Sequence, residues 1–556
     1  MTIHRVSIVA IAFTIAACSP RPSTAPAPTE APRPAATLPG TTVTEAPGNW
    51  MLLDPGADKV YGIGLLRAER ELLANKRPQR TVVVAVIDNG LDTTHAYLRP
   101  HLWVNPKEIA GNGKDDDGNG YADDVRGWDF IAGANGKFVD HDTYELTRIA
   151  GACADSVHRA TLPASYQNRC STIVAEFLRK RSELEQTMGN IRQIDGVYEQ
   201  ILPILRRAVG SDSITAQRVA ALSSPNDTVQ RARDMFIRLN SQGITPAVVA
   251  EARKAYEGQL QYGYNTSYDP RSIVGDNYPD TLINRYGNPD VKGPGGMHGT
   301  HVSGIIASNR QFSPRVSNGT AMQSDCCGIA TSVKIMALRA VPDGDERDKD
   351  IANAIRYAAD NGAQVINMSF GKSYSPYKNL VDAAVKYADG KGVLMVHAAG
   401  NEGANGETDP SFPTPVYLDG GRAKNWIEVG ASSWKTGDAL AATFSNYGTT
   451  VDLFAPGEDV TSAVPGGGYE KESGTSMASP VVAGVAALIM SYYPTLTASD
   501  VKKIILETAT KVPDIVVTRP GSTAERVKFS ELSTTGGIVN AYAALQAAER
   551  AAAARP

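Results

Sequence analysis

Thr81-Val82-Val83-Val84-Ala85-Val86-Ile87-Asp88 is an unbroken run of β-branched and apolar side chains that closes on a carboxylate. A strand with one wet face would alternate, so this run reads as a parallel strand buried on both sides. Working outward, similar runs recur at Val333 to Val341, Gln364 to Phe370, Val393 to Ala399, Ile427 to Ala431 and Val451 to Ala455. Helical stretches lie between or after them at Lys349 to Asn361, Asn379 to Lys391 and Ser476 to Tyr492, the last apolar nearly all round and therefore expected at the centre. Alternating strands and helices predict an α/β fold with a mostly parallel central sheet and helices on both faces. In such sheets the functional groups gather at the carboxyl ends of the strands.

Three element ends carry chemistry. Asp88 closes the first strand and is followed by the turn Asn89-Gly90. His298 and His301 lie in MHGTHVSG, which starts a helix, and Ser476 lies in SGTSMASP, where a Gly-Thr turn opens the apolar helix and Pro480 falls near its first turn, where proline is tolerated. Acyl transfer by serine needs a base for the hydroxyl proton, a carboxylate to orient that base, and donors for the oxyanion. Asp88, His298 and Ser476 supply the first parts, and Asn401, after the strand VLMVHAAGN, offers an amide donor at another carboxyl end. Taken singly, Asp88 could cap a helix, His298 could bind a metal and Asn401 could hold a turn.

Together, VAVIDNGLD, HGTHVSG, AAGN and GTSMASP, in the order Asp, His, Ser, resemble the subtilisin-like serine peptidases, or subtilases. The resemblance spans roughly Asn49 to Leu545 less an insertion. It implies a three-layer subtilisin-like fold and a serine endopeptidase acting on proteins or peptides through an acyl-enzyme. Asp88, His298 and Ser476 would be the triad, and Asn401 and the Ser476 amide the oxyanion hole. The first histidine of the motif is the catalytic one in that family, which leaves His301 a structural role. Ser369-Phe370-Gly371 falls where the family lines its substrate cleft, with Ala399 and Gly400 beside it, so an extended substrate is expected to pair there by strand addition. No cofactor is needed for such chemistry. A rival reading is a catalytically silent binding lipoprotein on the same fold, against which stands the intact set of four. A serine esterase of the α/β-hydrolase type fails on chain order and on the missing GxSxG elbow.

The chain departs from the family at three points. Asn89 stands where Ser or Thr is usual, only Gly48 to Arg80 is left for a propeptide, and Asp88 and His298 are 210 residues apart where the family has a few tens. The gap requires an insertion. Its first part, GNGKDDDGNGYADD, spaces Asp115, Asp117, Asn119 and Asp123 like positions 1, 3, 5 and 9 of an EF-hand loop, with Arg126 in place of the twelfth-position Glu. Five aspartates in ten residues repel without a cation, so a nonstandard structural calcium site is expected at Asp115, Asp117, Asn119 and Asp123. A solvated acidic turn is the alternative. The second part, 143–262, is helical: Phe177, Leu184, Ile191, Tyr198 and Leu205 recur every seven residues, predicting a long helix in a hairpin or coiled coil, ended or kinked by Pro203. Thr245-Pro246 reads as the cap and first turn of another helix. The insertion is a decorative subdomain or, alternatively, a docking arm for a partner.

At the N-terminus His4-Arg5, the apolar stretch Val6 to Ala17 and Ile15-Ala16-Ala17-Cys18 read as a signal peptide (1–17) ending in a lipobox, with Cys18 lipidated. Eight prolines between 20 and 47 make residues 18–47 an extended tether. Export with lipid anchoring to a bacterial outer membrane is the expectation. The peptidase domain would then comprise 48–142 and 263–548, with 549–556 a disordered tail. In an exported chain Cys153 and Cys170 are the preferred disulfide, while adjacent Cys326 and Cys327 could form only a strained pair. A net charge of −4 leaves no electrostatic footprint for nucleic acid, and neither a zinc CxxC pair nor a phosphate-binding glycine loop is present.

Overall fold

In the computed structural model the described residues are 45–276, 278, 285–310, 314–317, 320–323 and 327–555. The expected signal peptide, Cys18, most of the tether and Cys326 lie outside them. The run ending in Asp88 forms strand β1 (Val83–Asp88). The strands that join it in one sheet are β2 (Gly127–Asp129), β3 (Lys334–Arg339), β4 (Val365–Met368), β5 (Leu394–Ala398), β6 (Trp426–Ser432), β7 (Leu453–Pro456), β8 (Thr510–Lys511) and β9 (Gly537–Ile538). Their order is β8-β9-β7-β6-β5-β4-β1-β3-β2, and every pairing is parallel except that of β8 with β9. β1 lies between β3 and β4, and Asp88 at its end is in register with Arg339. The edge strand β2 carries no continuous apolar run, only Gly-Trp-Asp, and forms because the β3 backbone offers it a template.

The longer helices among the described residues are α1 (Glu145–Ala154), α2 (Cys170–Val209), α3 (Asp227–Ser241), α4 (Pro246–Gly258), α5 (Met297–Ala307), α6 (Asp348–Asp360), α7 (Lys378–Gly390), α8 (Thr475–Tyr492), α9 (Ala498–Glu507) and α10 (Ala541–Ala553). Successive strand side chains point to opposite faces, and each face has its own core. Val84, Val86, Ile335, Val365 and Val396 pack with α5, α8, α9 and α10. Ala85, Ile87, Met336, Ile366 and Met395 pack with α6 and α7 on the other side. The result is the mostly parallel, three-layer α/β arrangement. Every residue of α8 except Tyr492 is buried, which is why its sequence shows no polar face.

The insertion leaves the sheet domain at Asp142, whose N–H donates to Asp343 O (2.9 Å), and closes where Tyr144 N–H donates to Gly263 O (3.0 Å). The heptad stripe of α2 is buried along its whole length. Near the base it packs on Leu146 and Ile149 of α1, and further out Met188, Ile191, Tyr198 and Leu205 share a core with Phe236 of α3 and Val249 of α4. Cys153 and Cys170 are disulfide-bonded, tying the end of α1 to the start of α2; Cys327 is disulfide-bonded as well.

Three expectations need correction. Pro203 does not end α2: it sits on the solvent side while Ile201 and Leu205 are buried, and the helix continues to Val209, stopping at Gly210 with φ 69°. Residues 549–553 are helical and not a disordered tail, since the alanine-rich run extends α10 to Ala553. Glu45 to Pro47 are packed on the domain and not part of a free tether: Ala46 is buried and its carbonyl accepts from Lys471 Nζ (3.0 Å). The short stretch that follows is core and not a separate lobe, with Trp50, Leu52, Ile63 and Leu65 fully buried.

Candidate active site

The sheet end that carries Asp88 also receives the first turns of α5 and α8, which pack against one another. α5 can approach β1 closely because position 299 has no side chain. A Cβ on Gly299 would lie 2.1 Å from Gly90 O and 3.1 Å from Asp88 Cβ. His298 is thereby set against Asp88: its Nδ1 lies 2.8 Å from Oδ1 and 3.0 Å from Oδ2. The same carboxylate accepts from the Asn89 N–H (2.8 Å). Asn89, the residue at odds with the family pattern, accepts the Gly299 N–H on its Oδ1 (3.0 Å) and so caps the helix turn that holds His298. His298 Nε2 is buried and has no hydrogen-bond partner among the described residues.

Ser476 is buried at the start of α8, where the helix dipole favours developing negative charge. Its Oγ donates to Ser369 O (3.0 Å), and Ser369 Oγ donates back to Ser476 O (2.9 Å). Ser369 is held in turn by Asn367 Nδ2 (2.9 Å) and Ser479 Oγ (2.8 Å). Asn401 faces the same turn. Its Oδ1 accepts from both the N–H (2.8 Å) and the Oγ1 (3.1 Å) of Thr475, which fixes the amide plane, and its Nδ2 lies beside Gly474. Gly400, at φ 108°, donates its N–H to Thr475 Oγ1 (3.2 Å), and the carbonyls of Ala399 and Gly400 are taken by Asn446.

Phe370 is half-buried and Gly371 exposed. The Phe370 carbonyl accepts from His397 Nε2 (2.9 Å), while His397 Nδ1 lies 2.8 Å from Glu428 Oε1. His301 is apart from the reacting groups. It is fully buried, its Nε2 contacts Glu470 O (3.1 Å), and burial pushes its pKa down to about 3, so it is a neutral core histidine.

Sequence reasoning missed Thr475, Ser479, Asn446 and Arg339. Thr475 and Ser479 stood inside the quoted GTSMASP, one residue before and three after Ser476, and that spacing was the available signal. Arg339 was invisible: buried, it pairs with Asp129 (2.8 Å) and donates Nε to Asn89 O (3.0 Å), bracing the turn after Asp88.

The acidic loop is built differently from the spacing expected of it. Glu108, Asp115 and Asp117 each offer a carboxylate oxygen within 4.8 Å of the others, so a single hard cation could bridge them. Asp123 is not with them. Its carboxylate accepts the N–H groups of Gly111 (2.7 Å), Asn112 (3.1 Å) and Gly113 (2.8 Å), which stabilises the turn at the other end of the loop. Asn119 is also diverted: its Oδ1 accepts from Tyr121 N–H (2.8 Å) and its Nδ2 donates to Asp124 (2.9 Å). Glu108 precedes the motif and was unreadable from it.

An aspartate, a histidine bonded to it and a helix-start serine at the carboxyl edge of a parallel sheet are the parts of a serine hydrolase. The chain belongs to the subtilase family, whose model matches residues 79–523. It is similar to the thermophilic serine proteinase of Bacillus sp. (strain AK1), 43% identical over 195 residues covering 35% of this chain and 42% of that protein. It is 37% identical to subtilisin DY of Bacillus licheniformis over 223 residues, 40% of this chain and 73% of that one. With subtilisin NAT of Bacillus subtilis subsp. natto the identity is 36% over 276 residues, 49% and 63% of the two chains. The chain thus spans less than two thirds of the first and third of these relatives. Superposition on a crystal structure of a cold-adapted subtilisin-like serine proteinase gives a TM-score of 0.34 at 29% identity, over 46% of this chain and 76% of that one.

Proposed function

We propose that the protein is a serine endopeptidase that cleaves peptide bonds through an acyl-enzyme. The observation that carries this reading is the state of His298. Its Nδ1 lies within hydrogen-bond distance of both oxygens of Asp88, and its buried Nε2 has no hydrogen-bond partner among the described residues, the placement that a general base requires. Asp88 orients the ring, His298 takes the proton of Ser476 Oγ, and that oxygen attacks the carbonyl carbon. For the attack the hydroxyl turns from Ser369 O towards His298. The oxyanion is received by Asn401 Nδ2 and the Ser476 amide, and His298 then returns the proton to the leaving amine.

An extended substrate would lie along Ser369, Phe370 and Gly371, with Ala399 and Gly400 forming the base of the cleft beneath the scissile bond. Glu108, Asp115 and Asp117 fit a structural calcium, an oxygen-only set that would hold the loop leading into β2. The signal segment and Cys18 support export and anchoring of this peptidase by lipid at the outer membrane. No observation favours the silent binding lipoprotein.

The test is fluorophosphonate labelling of the mature chain with and without calcium. Labelling that disappears in Ser476→Ala supports the reading, and a folded, calcium-loaded wild type that resists labelling refutes it.

A further inference from the structure

Two chain segments lead away from the candidate triad, one from Ser476 and one from Asp88. Segment 369–372 begins at Ser476 itself, through the paired Ser369 bonds, and Lys372 follows three residues on, about 10 Å along an extended chain. Segment 343–348 leaves the carboxyl end of β3 beside Asp88, whose carbonyl accepts the N–H groups of Ala340 (3.0 Å) and Val341 (3.2 Å). Neither segment holds the other by backbone pairing among the described residues. They meet through buried charge, and the middle of that charge set comes from the insertion.

Lys372 Nζ reaches Glu145 Oε2 (2.8 Å) of α1, Asp348 Oδ1 (2.8 Å) and Glu346 O (2.7 Å). Glu145 receives Arg148 Nη2 (2.7 Å) as well, and its own N–H donates to Asp345 Oδ2 (2.8 Å). Arg148 Nη2 also touches the carbonyls of Asp345 (3.1 Å) and Glu346 (3.4 Å). A second set of contacts from the insertion reaches the residues just after Lys372: Tyr166 OH accepts the Ser375 N–H (3.1 Å), and Tyr374 OH donates to Glu176 of α2. The Lys372 and Glu145 side chains are 2% and 4% exposed, so solvent does not loosen them. Burial pushes the Glu145 carboxyl up, but the Arg148 and Lys372 charges outweigh it and hold the group at about 2. Burial pushes Glu346 up to about 8, which leaves it uncharged near neutrality. Lys372 thus pairs with Glu145 and Asp348, and Arg148 with Glu145 and Asp142 (3.6 Å).

A buried charge set of this kind is not explained by stability, because apolar residues of the same volume often stabilise as much or more. What it adds is a fixed geometry. We propose that Glu145, Arg148 and Lys372 are positioning residues, a buried bracket by which the base of the helical insertion sets the separation of segments 343–348 and 369–372 and thereby the affinity for extended peptide substrates. The inference rests on the peptidase reading of Ser476 and adds to it that the insertion is a working wall of the cleft.

The experiment compares wild type with Lys372→Met, Glu145→Gln and the milder Tyr166→Phe, which leaves every buried charge in place. Each is assayed for labelling rate with a small fluorophosphonate and for kcat and KM on two substrates, an ester of a single amino acid and a peptide with at least four residues before the scissile bond. The expected result for Lys372→Met and Glu145→Gln is a KM raised roughly ten-fold or more for the long peptide, with kcat, labelling and the ester changed less than two-fold. Tyr166→Phe should raise the same KM two- to three-fold, and it keeps the test informative where the charge variants do not fold. An unchanged long-peptide KM in the folded variants refutes the inference while labelling still supports the peptidase. A fall in labelling and kcat equal to the rise in KM also refutes it, since that is collapse of the site and not of the cleft walls. A wild type that is neither labelled nor active refutes the peptidase reading and this inference with it.

Discussion

Replacing Thr475 by Val isolates the part of the proposed oxyanion site that the fold supplies. The two side chains have nearly the same shape, and Thr475 is fully buried, so the change removes only a hydroxyl. That hydroxyl has two jobs: it donates to Asn401 Oδ1 (3.1 Å) and accepts the Gly400 N–H (3.2 Å). The Thr475 N–H still holds Asn401 at 2.8 Å, so the amide keeps one of its two pins. One neutral hydrogen bond contributes about 1 kcal/mol net, which corresponds to a roughly five-fold loss of kcat if it all appears as misalignment of Nδ2 in the transition state. Asn401→Ala removes the donor outright and should cost about a hundred- to a thousand-fold, the loss known for the equivalent asparagine of a subtilisin. Because Thr475 Oγ1 acts through Asn401, the losses should not add. Thr475→Val in an Asn401→Ala background should change kcat less than two-fold, and Thr475→Ser should restore the wild-type rate. The assay is steady-state hydrolysis of a peptide anilide, with fluorophosphonate labelling as a second readout. Full additivity in the double variant would show that Thr475 does not work by orienting Asn401, and the account of the oxyanion site would fail.

Chelation tests the acidic loop: removing calcium should lower Tm, and Glu108→Gln with Asp117→Asn should abolish the dependence, whereas Asp123→Asn should destabilise the turn but leave the calcium-dependent shift in place. His301 makes a pH prediction. Its pKa of about 3 in the folded chain lies below the unfolded value of about 6.5, so the unfolded state binds the extra proton between these limits. Its contribution is therefore fully present above about pH 6.5 and falls by about 1.4 kcal/mol per unit as pH drops towards 3; denaturant titrations of His301→Gln should show a shallower acid slope, and an identical slope would contradict the assignment. Cys153 and Cys170 are 17 residues apart, and their replacement by Ser should cost roughly 3 kcal/mol by loop closure, read as earlier loss of helical signal from the insertion with the labelling rate unchanged.

What the sequence disclosed and what it hid divide along one physical line. β1, β3, β4, β5 and α8 announce themselves because burial on all sides selects apolar residues over most of each element, so the signal is local and nearly continuous. Three of the four motifs are legible for a related reason: each sits at an element end where glycine is required by close approach, Gly90 by Lys292 O, Gly299 by Gly90 O and Gly400 by Asn446 Nδ2. Charged residues carry no such mark. Glu145, Arg148, Asp348 and Lys372 read as solvated surface, yet all but Arg148 are buried, because Lys372 meets its counter-ions Glu145 and Asp348 from other segments of the chain. Asp123 shows the converse: its spacing suits a cation, but three adjacent amide N–H groups are nearer and satisfy it first. The 210-residue gap that looks in the sequence like an interruption of the site supplies buried counter-charge to the segment that follows Ser369. A charged side chain can be assigned to surface or to core only after its partner is known, and here Glu145 lies within that gap while its partner Lys372 lies beyond it.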